Sequence, residues 1–301
     1  MVSIMFQHTP TQHEILFYTT GAGVFFFFVA AGYFMGKGYA KGMSPVPWLN
    51  VRKVLPFCFA YVFWVLVSMA CLGFPDSLLG WLANWGIGSS PCGTVLWFLR
   101  DLMIFVLVSG ALYRLPAACL AVLCMTALIV CNSVGNLNLG WDLPVIHKTF
   151  VFTHPRGLGA FALGMLLSRY SIGEMKAVVE RIGRYVLVAF PFVFWWEACN
   201  PVSESALSMV FCILWLASVA LWLLKCFPRA AGCLARLGPS VFLVYVAHAL
   251  VFHLLMGWGV PRGIWWPWLL IVPCVFALLS GVYVLLRRYC PVVLKYVALH
   301  H

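Results

Sequence analysis

Charge is what this chain has least of: 9% of its 301 residues are Asp, Glu, Lys or Arg, against about 25% in an ordinary soluble domain. So few charges cannot cover a water-facing surface. That excludes a soluble globular protein and leaves side chains that face lipid or one another. Metal and disulfide frameworks are lacking too. None of the 12 cysteines stands in a C-x-x-C pair or clusters with histidines at zinc spacing. Cys58, Cys71, Cys119, Cys124, Cys131 and Cys212 instead lie in apolar runs, where cysteine acts as a small hydrophobe. The sequence also has no nucleophile elbow, no phosphate-cradling Gly-x-x-x-x-Gly-Lys and no convincing internal repeat.

What fills the chain is apolar: 64% of residues are hydrophobic and the mean hydropathy is +0.99. A spanning helix needs about 20 mostly apolar residues. Runs of that kind extend from Ile15 to Met35, Val54 to Phe74, Thr94 to Tyr113, Pro116 to Ser133 and Phe150 to Ser168. Four more follow, from Tyr185 to Cys199, Ser205 to Leu224, Pro239 to Trp258 and Ile264 to Leu286. The expected fold is an all-α, polytopic transmembrane helix bundle of nine full spans, forming a single domain over residues 1–301.

The basic residues test this count independently. Lys37, Lys41, Arg52, Lys53, Arg114, Arg169, Lys176, Arg181 and Arg184 fall on one set of alternate loops, with Lys225, Arg229, Arg236, Arg287, Arg288 and Lys295. Only Lys148, Arg156 and Arg262 fall on the other set, and Arg100 lies within a span. By the positive-inside rule the first set and the C-terminus are cytoplasmic and Met1 is external. The +11 formal charge therefore reflects topology and anionic headgroups, not a nucleic-acid partner. The expected location is the cell (inner) membrane. Trp81, Trp85, Trp141, Trp265, Trp266 and Trp268 stand beside the external span ends, as an aromatic belt does. The apolar segment from Met1 into His8 reads either as an interfacial tail or as the external stub of a tenth helix.

An ionisable group inside a span costs about 2.5–3.5 kcal/mol on insertion scales, so each needs a partner or a function. Arg100 and Asp101 lie about two turns inside the third span. Neighbouring helix positions point about 100° apart, so each is expected to pair with another helix and not with the other. They read equally as an interhelical clamp or as part of a polar cavity. His248 lies near the middle of the eighth span, where packing is the commoner role of a lone histidine and acid–base chemistry the alternative. His253 falls on a different face, and Arg156 lies at the external mouth of the fifth span. Gly21, Gly23 and Gly32 suit close helix packing as readily as a site.

Five ordered segments give these features a common setting. They are Gly23 to Tyr33 (GVFFFFVAAGY), Leu49 to Pro56 (LNVRKVLP), Leu96 to Leu102 (LWFLRDL), Arg156 to Arg169 with its Phe-x-x-Gly-Met, and Gly238 to His248 with its Ser-x-Phe-x-x-Tyr-x-x-His. Together they resemble the acyltransferase-3 family of membrane acyltransferases, over nearly the whole chain. The resemblance implies ten core helices, with His8 as the histidine of an Arg-x10-His pattern whose arginine falls before Met1. Two positions depart from the pattern: Ala31 replaces a serine, and Asn50 replaces the first arginine of Arg-x-x-Arg.

The implied activity is transfer of an acyl group, usually acetyl, from an acyl-CoA cosubstrate to a hydroxyl of a surface polysaccharide or other glycan. No bound cofactor or metal is implied. Arg52 and Lys53 would hold the donor's phosphates from the cytoplasmic side. His8 would serve as general base, and Arg100, Asp101, Arg156 and His248 would line the cavity on the acceptor side. The same intramembrane charges also suit a transporter or flippase of a polar or lipid-linked solute, and a family member that binds without catalysis is a third reading.

Overall fold

The computed structural model describes residues 22–43, 51–72, 93–134, 155–199, 206–261, 264 and 266–297, together with Met5 and Thr9. Within these the chain is helical, with no strand. In chain order the helices are α1 (Ala22–Ala40), α2 (Val51–Leu72), α3 (Gly93–Arg114), α4 (Ala117–Val134), α5 (Pro155–Leu167) and α6 (Ile172–Cys199). They continue as α7 (Ala206–Cys226), α8 (Pro228–Arg236), a single 3-10 turn (Gly238–Ser240), α9 (Val241–Gly257), α10 (Trp266–Tyr289) and α11 (Pro291–Val297). A helix falls on each of the nine expected spans. Five stretches are long and apolar enough to cross a membrane on that basis alone: Gly23–Ala40, Lys53–Cys71, Leu96–Arg114, Pro228–Gly257 and Trp266–Tyr289. Shorter apolar helices run Ala117–Ala127, Gly157–Leu167 and Ile213–Cys226.

The exposure pattern of α2 shows why this is a membrane bundle. Leu55, Phe59, Val62 and Leu66 recur at helical spacing, yet they are 50–59% exposed. A soluble helix turns such a stripe inward; here it points out, as a lipid-facing surface does. The opposite faces build a packed centre. Phe28 of α1 lies 4.5 Å from Phe98 and 5.2 Å from Phe105 of α3, ring centroid to centroid, and Phe105 lies 5.5 Å from Phe161 of α5. Met5 is helical and fully buried in this core, and Thr9 is buried as well. The rest of the Met1–His8 segment, expected as the stub of a tenth helix, lies outside the described residues.

α1 and α5 touch backbone to backbone. A Cβ on Gly32 would lie 2.1 Å from the Phe161 carbonyl oxygen, and one on Gly164 would lie 2.0 Å from that of Val29. Only glycine permits that approach. Gly32 is therefore a packing residue. Contacts advance together along the two helices, Gly32 on Phe161 and Gly36 on Ser168, so they run parallel, as the Lys/Arg pattern requires. Other contacts also join residues of one expected side: Tyr39 with Lys53 and Glu180 with Lys225 inside, Phe252 with Trp268 outside.

The sixth span differs from expectation. Its helix does not begin at Tyr185 but at Ile172, and it is 28 residues long. Hydropathy hides the first half because it is charged, yet short-range bonds hold it. The Ser171 hydroxyl accepts from the Glu174 N–H at 3.1 Å, while the Glu174 carboxylate accepts from the Ser171 N–H at 2.7 Å, a reciprocal capping box. Glu180 then pairs with Lys225 of α7 at 3.0 Å. Elsewhere, Gly42 (φ +93°) and Gly259 (φ +95°) end α1 and α9 in the left-handed conformation. The next N–H groups, of Met43 and Val260, bond back to Gly38 and Leu255 at 3.1 Å.

Candidate functional site

α3 carries the most deeply placed charges. Along Leu96–Leu102 nearly every side chain is buried, including Arg100 at 3% exposure and Asp101 at 0%. Counting from Gly93, Arg100 lies about 10 Å along the axis from the N-terminal end of the helix. The expected pairing of each with another helix is corrected here. Arg100 Nε and Nη2 both donate to Asp101 Oδ1, at 2.8 and 2.7 Å, so the two neighbours pair with each other. The arginine stem is long enough to close the 100° offset. In a low-dielectric interior the nearest counter-charge is the one worth reaching. The pair still addresses other helices. The Arg100 charge acts on the Tyr61 hydroxyl of α2, and the Asp101 charge on the Tyr245 hydroxyl of α9.

α9 supplies the next groups. Tyr245 packs its ring 5.1 Å from Phe98 and 6.4 Å from Phe27, closing the space between α9, α3 and α1. Three residues on, and so on nearly the same face, His248 is fully buried. Its Nδ1 lies 2.7 Å from the Tyr245 carbonyl oxygen and 3.1 Å from that of Val244. Carbonyls only accept, so Nδ1 carries a hydrogen and donates it to the backbone. The ring then stands 6.1 Å from Tyr245 and 5.7 Å from Phe252, in an aromatic column that ends on Trp268. His253 is half-buried on another face.

A second polar level lies at the end of the bundle where α1 finishes and α2 begins. Lys53, near the start of α2, holds its ammonium 5.5 Å from the centroid of the Tyr39 ring. Tyr39 is 5% exposed and fixed twice more, by a 2.7 Å hydrogen bond between its hydroxyl and Ser109 Oγ and by the Tyr113 ring at 5.0 Å. Ser109 Oγ in turn lies 2.6 Å from the Val106 carbonyl oxygen. Lys53 and Tyr61, on the same helix, are about 12 Å apart along its axis, so the two levels are separate in depth.

Of the expected site residues, Arg100, Asp101 and His248 thus lie buried inside the bundle, His248 beside Tyr245, and Lys53 stands near the start of α2. His8 lies outside the described residues, and so do the side chains of Arg52 and Arg156, whose backbones belong to α2 and α5. Tyr245, Tyr61 and Tyr39 were not singled out by sequence. Tyr245 carried a signal, its three-residue spacing to His248; Tyr61 and Tyr39 had none.

No curated protein and no solved structure matches the chain. The family described as "Acyltransferase domain" matches residues 2–288, almost the full length, and takes in every segment named above. Helical bundle, intramembrane polar level and family match converge: the chain belongs to the acyltransferase-3 family of membrane proteins.

Proposed function

We propose that this protein is an acyltransferase of the cell (inner) membrane. It takes an acyl group, acetyl foremost, from acyl-CoA in the cytoplasm and esterifies a hydroxyl of a glycan on the far side. The observation that carries this reading is the separation of two polar levels on one bundle. A fixed cation, Lys53, stands where an anionic donor would arrive, and Arg100, Asp101, Tyr245 and His248 lie deeper, towards the external half. Arg52 joins Lys53 in binding the donor's phosphates, and Arg156 joins the deeper groups at the acceptor's mouth.

In the reaction the acceptor hydroxyl loses its proton to His8 as its oxygen forms a bond to the thioester carbonyl carbon. The carbon–sulfur bond then breaks, and the CoA thiolate leaves and is reprotonated. His248, buried on the deeper polar level, lines the same path.

The test uses membrane vesicles that contain the protein, labelled acetyl-CoA outside inverted vesicles and glycan acceptor within. Labelled ester should appear on the acceptor and fall by about 10²–10⁴-fold in His8→Ala, the usual contribution of a general base. Undiminished transfer by His8→Ala removes His8 from the mechanism. No transfer by the unaltered protein from any acyl-CoA removes the donor assignment.

A further inference from the structure

The helix α8 stands apart from every other element of similar length. None of its residues is buried, and it is nine residues long. Helices shorter than about 12 residues are marginal in water unless something packs on them. At 100° per residue, Phe227, Ala230, Ala231 and Leu234 share one face, and Arg229 and Arg236 lie within about 20° of each other on the opposite one. The apolar face is only partly covered: the Phe227 ring, at the N-cap, lies 5.5 Å from that of Trp222 in α7, yet Phe227 is 52% exposed and Leu234 56%.

Covalent continuity fixes where this helix sits. It follows α7 directly, with the Phe227 N–H donating to the Leu223 carbonyl at 2.8 Å. It runs into α9 through the 3-10 turn, where Ser240 Oγ meets Ser280 Oγ of α10 at 3.0 Å. Both ends are therefore tied to the cytoplasmic ends of apolar helices, and α8 cannot leave that level. No acidic residue occurs from Lys225 to Ser240. Lys225 is already engaged by Glu180, whereas Arg229 and Arg236 form no ion pair among the described residues.

We propose that α8 lies flat in the cytoplasmic headgroup layer, buries Phe227 and Leu234 among the acyl chains, and binds anionic phospholipid phosphates through Arg229 and Arg236. An amphipathic helix with cations on one side and large apolar residues on the other matches that layer in both chemistry and depth. The two guanidinium-bearing residues are about 10 Å apart along the axis, so they take separate headgroups. This inference does not depend on the acyl-transfer reading.

Hydrogen–deuterium exchange of the full chain, read by mass spectrometry over residues 229–236, tests it. The protein is compared in phosphatidylcholine nanodiscs and in nanodiscs that also contain phosphatidylglycerol. Exchange should slow by about tenfold or more with phosphatidylglycerol, and this difference should vanish in an Arg229→Gln/Arg236→Gln variant. Unchanged exchange within α9 in the same spectra establishes that the variant is folded. Equal exchange of the unaltered protein in both lipids overturns the proposal, as does a variant that keeps the lipid effect. If protection in neutral lipid instead rises with the number of protomers per disc, a second copy covers the helix and the proposal also fails.

Discussion

Arg100 and Asp101 form a buried ion pair within one helix turn, with both arginine N–H groups on the same carboxylate oxygen, at 2.8 and 2.7 Å. A pair between sequence neighbours cannot clamp two helices by itself. Its first effect is to neutralise a cation that the bundle has buried. Removing one partner leaves the other uncompensated. Asp101→Ala should therefore destabilise the protein by about 3–5 kcal/mol, whereas Arg100→Met/Asp101→Leu together should recover most of that loss. Thermal unfolding in nanodiscs measures both. A double variant as unstable as the single one would show that the charges do more than cancel each other.

The backbone contact between α1 and α5 predicts a sharp contrast among glycines. A methyl group on Gly164 would meet the Val29 carbonyl oxygen at 2.0 Å, and a backbone atom cannot swing away. Gly164→Ala should cost about 1–3 kcal/mol as the helices separate. Gly281 of α10 is the control, because a methyl group there would find nothing within 4 Å. At that position alanine should stabilise by about 0.5–1 kcal/mol through helix propensity. Unfolding temperatures of the two variants should shift in opposite directions.

Tyr39 predicts a binding defect that spares turnover. Its ring lies under the Lys53 ammonium, and an exposed contact of this kind is worth about 0.5–1 kcal/mol. Tyr39→Leu should raise KM for acyl-CoA by roughly two- to fivefold and leave kcat nearly unchanged. Tyr39→Phe keeps the ring and loses the hydroxyl bond to Ser109, so its KM should stay near that of the unaltered protein. An equal rise in both variants would assign the effect to the hydroxyl.

The charged half of α6 predicts acid sensitivity. The Lys225 ammonium, hydrogen-bonded to Glu180 and aided by the nearby Lys176, holds the Glu180 carboxyl below the ordinary glutamate range. A carboxyl depressed in the folded state adds stability above its unfolded pKa and loses it as pH falls through the folded one. The contact between the start of α6 and the end of α7 should therefore loosen only below the usual glutamate pKa, and the exposed position keeps the effect modest. The difference in unfolding temperature between the unaltered protein and Glu180→Gln should be flat near neutrality and shrink in acid. A difference that grows in acid would contradict the pairing.

Some of this was legible before any coordinates. The nine apolar runs and their alternating Lys/Arg loops are local properties, because transfer free energy adds up residue by residue along one helix and charge asymmetry needs only the loops. Those same sums misplace the start of α6, where Ser171, Glu174 and Glu180 support a charged helix that hydropathy passes over. Sequence spacing also named Arg100, Asp101 and His248 as buried polar groups. It assigned the wrong partners to the first two, since angular offset on a helix says nothing of how far an arginine stem can bend. Which faces meet was decided by tertiary structure alone. Lys53 reaches Tyr39, Tyr245 packs on Phe98, and Gly164 lies against Val29 because three-dimensional packing selects one arrangement among many that the same apolar spans allow.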